Sequence, residues 1–214
     1  MFATKASAAE FIGGLSKPSK MPGKSFGFSA RLCKTGAKLR DIEGSTCHKC
    51  YALKGAYTWK STVAAHARRW AALAGALEGA EGRAKWRAAM IKLLDGEQYF
   101  RWHDSGDIQT AEHLALIADI AAATPETRHW LPTREYKLVR EFLKVSSKPA
   151  NLVIRLSAQM IDAEPAAGFA HTSTVHRQGK AYGHDCPARF QDNECKDCRA
   201  CWDDTVPNVS YPAH

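Results

Sequence analysis

The chain has 214 residues, 45% of them apolar and 24% charged, a composition that excludes a disordered segment and fits one domain spanning 1–214. No stretch approaches the ~18 apolar residues of a membrane span, Met1–Lys20 lacks an apolar run beside a cleavage site, and nothing repeats at a solenoid period; the expected compartment is the cytoplasm. Thirty Lys and Arg against 22 Asp and Glu leave a formal +8, which points to an anionic partner (a small anionic substrate, a nucleotide or nucleic acid) without the block of like charges that marks a basic tail.

Residues 13–25 (GGLSKPSKMPGKS) read as loop, and SFGFSA after them as a short first strand. MPGKS resembles a phosphate loop but fails as one, because Pro18 stands where the first glycine should be. Residues 51–94 carry Ala, Leu and Trp at helical spacing, and Gly79 and Gly82 divide them into two helices. A regular alternation follows. Tyr99–Trp102 is a strand running into HDSGD, 109–123 an amphipathic helix, His129–Leu131 a strand ending at Pro132-Thr133, 134–145 a helix, and Asn151–Leu156 a strand ending at Ser157. His171–Val175 reads as a further short strand.

Strands alternating with helices imply a parallel sheet with right-handed crossovers. The chain is shorter than the ~250 residues of a full eight-fold barrel, so the expected fold is α/β, a compact or incomplete TIM-barrel-like parallel barrel. Its core spans 25–176, with a cysteine loop at 33–50 and a cysteine-rich C-terminal tail at 184–202. In such folds the site lies at the carboxyl ends of the strands. His103, Asp104 and Asp107 fall at such an end and are candidate acid–base residues, with helix capping as the alternative for Asp107. Arg134, Arg155 and Ser157 fall at neighbouring ends and are candidate substrate ligands, and Trp102, Trp130 and Tyr136 candidate pocket walls.

Seven cysteines cluster toward the two ends: Cys33, Cys47 and Cys50, then Cys186, Cys195, Cys198 and Cys201. An odd count in a reducing compartment fits disulfides poorly and metal better. The run C-x2-C-x2-C at 195–201 suits three irons of one [4Fe-4S] cluster, with Cys186 beside Pro187 as fourth ligand. Zinc is the alternative, with a basic binding module for nucleic acid or a host protein as its function. Cys33, Cys47 and Cys50 either recruit a fourth cysteine from the tail or leave one iron open. A curling sheet would let all seven crowd one mouth, as one cluster or two. His171, His176 and His184 precede the tail; a surface role is expected for them, with replacement of a cysteine ligand by one of them as the alternative.

A three-cysteine loop after the first strand is the general plan of the radical S-adenosylmethionine enzymes. Here the spacing differs from their short C-x3-C-x2-C, and no glycine-glycine-glutamate segment follows the second strand, which sets S-adenosylmethionine apart from the cluster as a cofactor. CHKCYA, FRWHDSGD, the strand–Thr-Arg–helix unit, NLVIRLS and CRACW, in this order, resemble the bacteriophage gene product eighty-eight family across roughly residues 25–202. The resemblance implies action in a phage-infected cytoplasm, metal ligation by the cysteines, and a strand-end motif at His103, Asp104 and Asp107. The expected function is redox or radical-type catalysis on a small or nucleotide-like anion, with an electron donor supplied by the host.

Overall fold

The computed structural model describes residues 2–177 and 181–213. In chain order the elements are α1 (Lys5–Ile12), β1 (Lys24–Phe26), α2 (Lys34–Leu39), α3 (Lys60–Leu77), α4 (Ala80–Leu94), β2 (Tyr99–Trp102), α5 (Ala111–Ala123), β3 (Arg128–Thr133), α6 (Tyr136–Val145), β4 (Leu152–Ser157), β5 (Thr172–His176), β6 (His184–Asp185) and β7 (Asn208–Pro212). Short 3-10 turns lie at Tyr51–Leu53, Gly55–Thr58, Pro187–Phe190 and Ala200–Trp202.

All seven strands pair in parallel, in the order β1-β2-β3-β4-β5-β7-β6. Five successive strands advance in one direction, so crossovers of one hand place their helices on one face. Accordingly α4 packs against α1, α3 and α5, and α5 against α6. Alternation along the strands supplies both faces. Phe100, Trp102, Leu131, Ile154 and Leu156 join Trp86, Met90 and Ile117 in the main core. Trp130 and Val209 point the other way, into a second core with Trp202 and Cys201.

Gly82 permits the close approach of the two long helices. A Cβ there would lie 2.8 Å from the Gly75 carbonyl oxygen. It therefore sits inside α4, while Gly79 alone forms the break. The N-terminal helix α1 is absent from the expected elements; Thr4 caps it in a reciprocal pair with Ser7, and Gly13 ends it.

The expected α/β parallel sheet is present in an open form, and one expectation changes. The sheet is not closed: β1 and β6 are its two edges. β7 enters between β5 and a two-residue β6. Nor is 184–202 a terminal appendage. The chain continues into β7, and the 200–202 turn packs on β3 and β4, with the Trp202 indole N–H donating to the Phe100 carbonyl at 2.9 Å. No helix among the described residues is long and apolar enough to cross a membrane.

Candidate functional site

The 33–50 loop lies over the carboxyl ends of β2, β3 and β4. The Thr46 amide donates to the Gln159 carbonyl at 2.9 Å and its hydroxyl to Ala158 at 3.0 Å. Glu135 accepts from both the amide and the hydroxyl of Thr35, each at 2.9 Å, tying α2 to the start of α6. These contacts draw Cys33, Cys47 and Cys50 together. Gly36 separates two of them: a Cβ on it would meet Cys33 Cβ at 3.1 Å and Cys47 Sγ at 3.5 Å. Burial, then Asp107 and the other two thiols, push the Cys33 thiol up to about 12. Cys47 is also raised by burial, against the lowering effect of Arg134.

Beside the thiols the β2 motif carries polar atoms with no hydrogen-bond partner among the described residues. His103 is 3% exposed, has the left-handed φ of +55°, and neither ring nitrogen is hydrogen-bonded. Its ring meets His113 at 5.1 Å and Phe28 edge-on at 5.4 Å. Burial, then His113 and Arg101, hold its pKa well below the ordinary value, so the imidazole is neutral. Asp104 Oδ1 and Ser105 Oγ are likewise buried and unpaired. Gly27 admits the carboxylate, since a Cβ there would lie 2.3 Å from Asp104 Oδ1. Buried polar atoms are almost always hydrogen-bonded, so several without partners in one place mark a ligand or water site.

The other candidates separate by use. Asp107 is fully engaged: Oδ1 accepts from Thr133 Oγ1 at 2.6 Å and the Ile108 amide at 2.8 Å, and Oδ2 from the Arg134 amide at 2.9 Å. It ties the β2 loop to the end of β3. Burial raises it to about 6 despite these three donors. Arg134 reaches the thiol loop, its Nε donating to Thr46 Oγ1 at 3.0 Å. Ser157 accepts from Ser173 Oγ at 3.1 Å and is buried. Arg155 is 0% exposed, and its donors go to the carbonyls of Ala200, Cys201, Asp203 and Val206 at 2.7 to 3.1 Å. Its guanidinium holds the C-terminal cysteine segment and faces no open site. Trp102 lies in the main core, Trp130 in the second core under the Arg101 guanidinium at 4.5 Å, and Tyr136 against Phe169.

Cys186, Cys195, Cys198 and Cys201 form a separate set on the sheet face opposite the helices. With His184 and Trp202 they line a small recess. Cys195 is placed by its amide donating to the Lys20 carbonyl at 2.7 Å, and Cys186 by donation to Ser210 at 2.9 Å. His184 Nε2 lies 3.4 Å from Cys198 Sγ, and the Tyr211 hydroxyl 3.1 Å from Cys201 Sγ. Burial raises Cys201 to about 12 and also raises Cys186 and Cys195. None of Cys33, Cys47 and Cys50 lines this recess, so the seven divide three and four and do not crowd one mouth. All seven are free thiols. Among the described residues no three Cys, His, Asp or Glu side chains stand close enough to hold a single metal ion.

The motif's neighbours were not legible as site residues. Arg101 Nε is buried and unpaired. Burial opposes its charge, but Tyr51 and Asp104 hold it firmly protonated. Tyr51, next to Cys50, donates from its hydroxyl to the Asp104 carbonyl at 2.7 Å. Its place after C-x-x-C was the available signal.

Fold and site define the class: an open, all-parallel α/β protein with a thiol-lined strand-end site and a second set of thiols on the far face. The family model described as Gene product 88 matches residues 3–204, and the chain belongs to that family of phage gene products. No curated protein and no solved structure matches it.

Proposed function

We propose that the chain is an iron–sulfur protein carrying out redox or radical-type chemistry on a small or nucleotide-like anion at the carboxyl edge of the sheet. The reading treats the sheet as an open, partial βα-barrel, which the succession β1 to β5 supports. The single observation that carries it is the division of the free thiols: three beside the unpaired His103 and Asp104, four lining a recess away from them.

Thiols ligate iron and zinc alike, and geometry bears on the choice. A zinc ion needs its sulfurs about 3.8 Å apart around one atom. No such group exists among the described residues. In a cubane each thiolate binds a different iron, so the sulfurs need not converge on one point. The four C-terminal thiols would hold one [4Fe-4S] cluster, and Cys33, Cys47 and Cys50 a second with one iron free of protein ligand. When bound, such a cluster supplies or accepts one electron. His103, neutral and with both nitrogens free, offers one ring N–H as donor and the other nitrogen as acceptor; Asp104 Oδ1 accepts a hydrogen bond; Arg134, beside Cys47, orients an anionic group. Asp107 positions the loop that carries them. No step is assigned to S-adenosylmethionine.

Anaerobic purification with iron and sulfide quantification and electron paramagnetic resonance of the dithionite-reduced protein tests the reading. Cys198→Ala is expected to lose the iron of the C-terminal set, and Cys47→Ala only that of the strand-end set. Full iron and sulfide content in Cys198→Ala, or a colourless, iron-free wild type, overturns it.

A further inference from the structure

Between Glu43 and Glu78 the chain has no acidic residue, yet it carries Lys49, Lys54, Lys60, Arg68 and Arg69. Arg69 is spent inside, donating to the Gly14 carbonyl at 2.9 Å and to Ser16 Oγ at 2.8 Å. Lys49, Lys54, Lys60 and Arg68 are exposed, and none makes an ion pair among the described residues. The same short stretch holds two open aromatic rings, Trp59 at 65% and Tyr51 at 56% exposure. Cations without partners and aromatic faces without cover, alternating over a dozen residues, are what a strand of phosphates and unpaired bases requires.

The Tyr51 ring is held, not loose. Tyr51 is anchored through its hydroxyl to the Asp104 carbonyl and meets Tyr57 edge-on at 5.6 Å. Tyr57 in turn leans on the buried His66 at 5.9 Å. Trp59 stands at the start of α3 with no side-chain cap, so the first-turn amides of that helix lie beside Lys60 and add partial positive charge. A ring fixed at one end and open on its face loses little entropy when a base stacks on it. The anchor also fixes direction: the open face of Tyr51 belongs to the residue that touches Asp104, so a base stacked there lies next to the strand-end cluster.

We infer that residues 49–60 form a landing surface for single-stranded nucleic acid, with bases on Trp59 and Tyr51 and phosphates on Lys49, Lys54 and Lys60. This deepens the proposed function by making its anionic substrate a nucleotide within a strand. It rests on that reading only for what happens beyond Asp104.

The test is fluorescence anisotropy of the purified full chain with a labelled oligo-dT, an oligo-U and a mixed-sequence duplex of equal length, with iron and sulfide measured on the same samples. Single strands are expected to bind more tightly than the duplex. Trp59→Ala should weaken single-strand binding about tenfold and leave weak duplex binding unchanged. With three phosphate contacts the slope of log K against log salt should be about −2, and each of Lys54→Glu and Lys60→Glu should reduce it by about 0.7. All three side chains are exposed, so the variants are expected to keep the wild-type circular dichroism spectrum. No binding at low salt overturns the inference. So does duplex binding as tight as single-strand binding with Trp59→Ala silent, which would be generic polyanion attraction. Strand binding without iron would leave the inference standing and remove the cluster; iron without strand binding would do the reverse.

Discussion

Arg155 offers the sharpest test of how the far-face thiols are held. Among the described residues its guanidinium has no carboxylate partner and gives its hydrogens to backbone carbonyls alone. Four bonds are short: Nη2 to Ala200 at 2.7 Å and Asp203 at 2.8 Å, Nη1 to Val206 at 2.9 Å, and Nε to Cys201 at 3.1 Å. Hydrogen bonds from a charged donor contribute about 1.5–3 kcal/mol each, so four would sum to roughly 6–12 kcal/mol. Against that stands the cost of burying a guanidinium, several kcal/mol. Arg155→Met removes both the charge and the donors, leaving the Cys201 and Val206 carbonyls without the guanidinium and those of Ala200 and Asp203 with only long turn bonds from the Asp203 and Val206 amides at 3.3 and 3.4 Å. The expected loss is therefore about 3–5 kcal/mol, within the range for breaking a buried network. Arg155→Lys, with three donors and no planar fork, should recover part of it. Urea unfolding measures the total. Hydrogen exchange at residues 200–206 locates it, because this segment should lose protection before the β2–β4 strands do. An Arg155→Met protein within about 0.5 kcal/mol of wild type, with unchanged exchange at 200–206, would refute the reasoning.

Acid should unfold the protein earlier than its exposed carboxylates alone would. Burial holds His113 and His129 down to about 3, so both bind protons on unfolding. Their stabilisation is complete above the ordinary histidine pKa and is lost as pH falls toward 3. Asp107, raised to about 6, acts in the opposite direction between about 4 and 6 and offsets one of them. His103, also held well below its ordinary value, adds to the same side, so stability falls by at least about 1.4 kcal/mol per pH unit from pH 6 to pH 4, and a urea midpoint that stays flat or rises on acidification over that range contradicts it. Gly27→Ala should cost about 2 kcal/mol, because its Cβ would lie 2.3 Å from Asp104 Oδ1 and 2.9 Å from the Ser105 carbonyl oxygen. Adding Asp104→Ala should recover part of that cost in a double-mutant cycle, and strict additivity would show that the two do not meet.

Much of the frame was readable one residue at a time. The strands at Tyr99–Trp102, Arg128–Thr133 and Leu152–Ser157 and the helices between them follow from apolar period and turn residues. The placing of His103, Asp104 and Arg134 at one sheet edge follows from parallel topology alone. The roles of Asp107 and Arg155 were not readable. As sequence, each is a polar residue at a strand end; in space, one is tied by Thr133, Ile108 and Arg134 and the other by four carbonyls from a distant turn.

Local chemistry alone settled the alternation of strands and helices, the basic balance and the two groups of thiols, because propensity, periodicity and charge are properties of neighbours along the chain. Only the tertiary structure decided that the sheet stays open, that β7 slips in beside β5, that the thiols divide three and four on different faces, and that His103 and Asp104 are left unpaired while Asp107 is used up. Those outcomes depend on which distant backbone groups arrive at each side chain, and hydrogen bonds across 26 to 51 positions leave no periodic trace in the sequence.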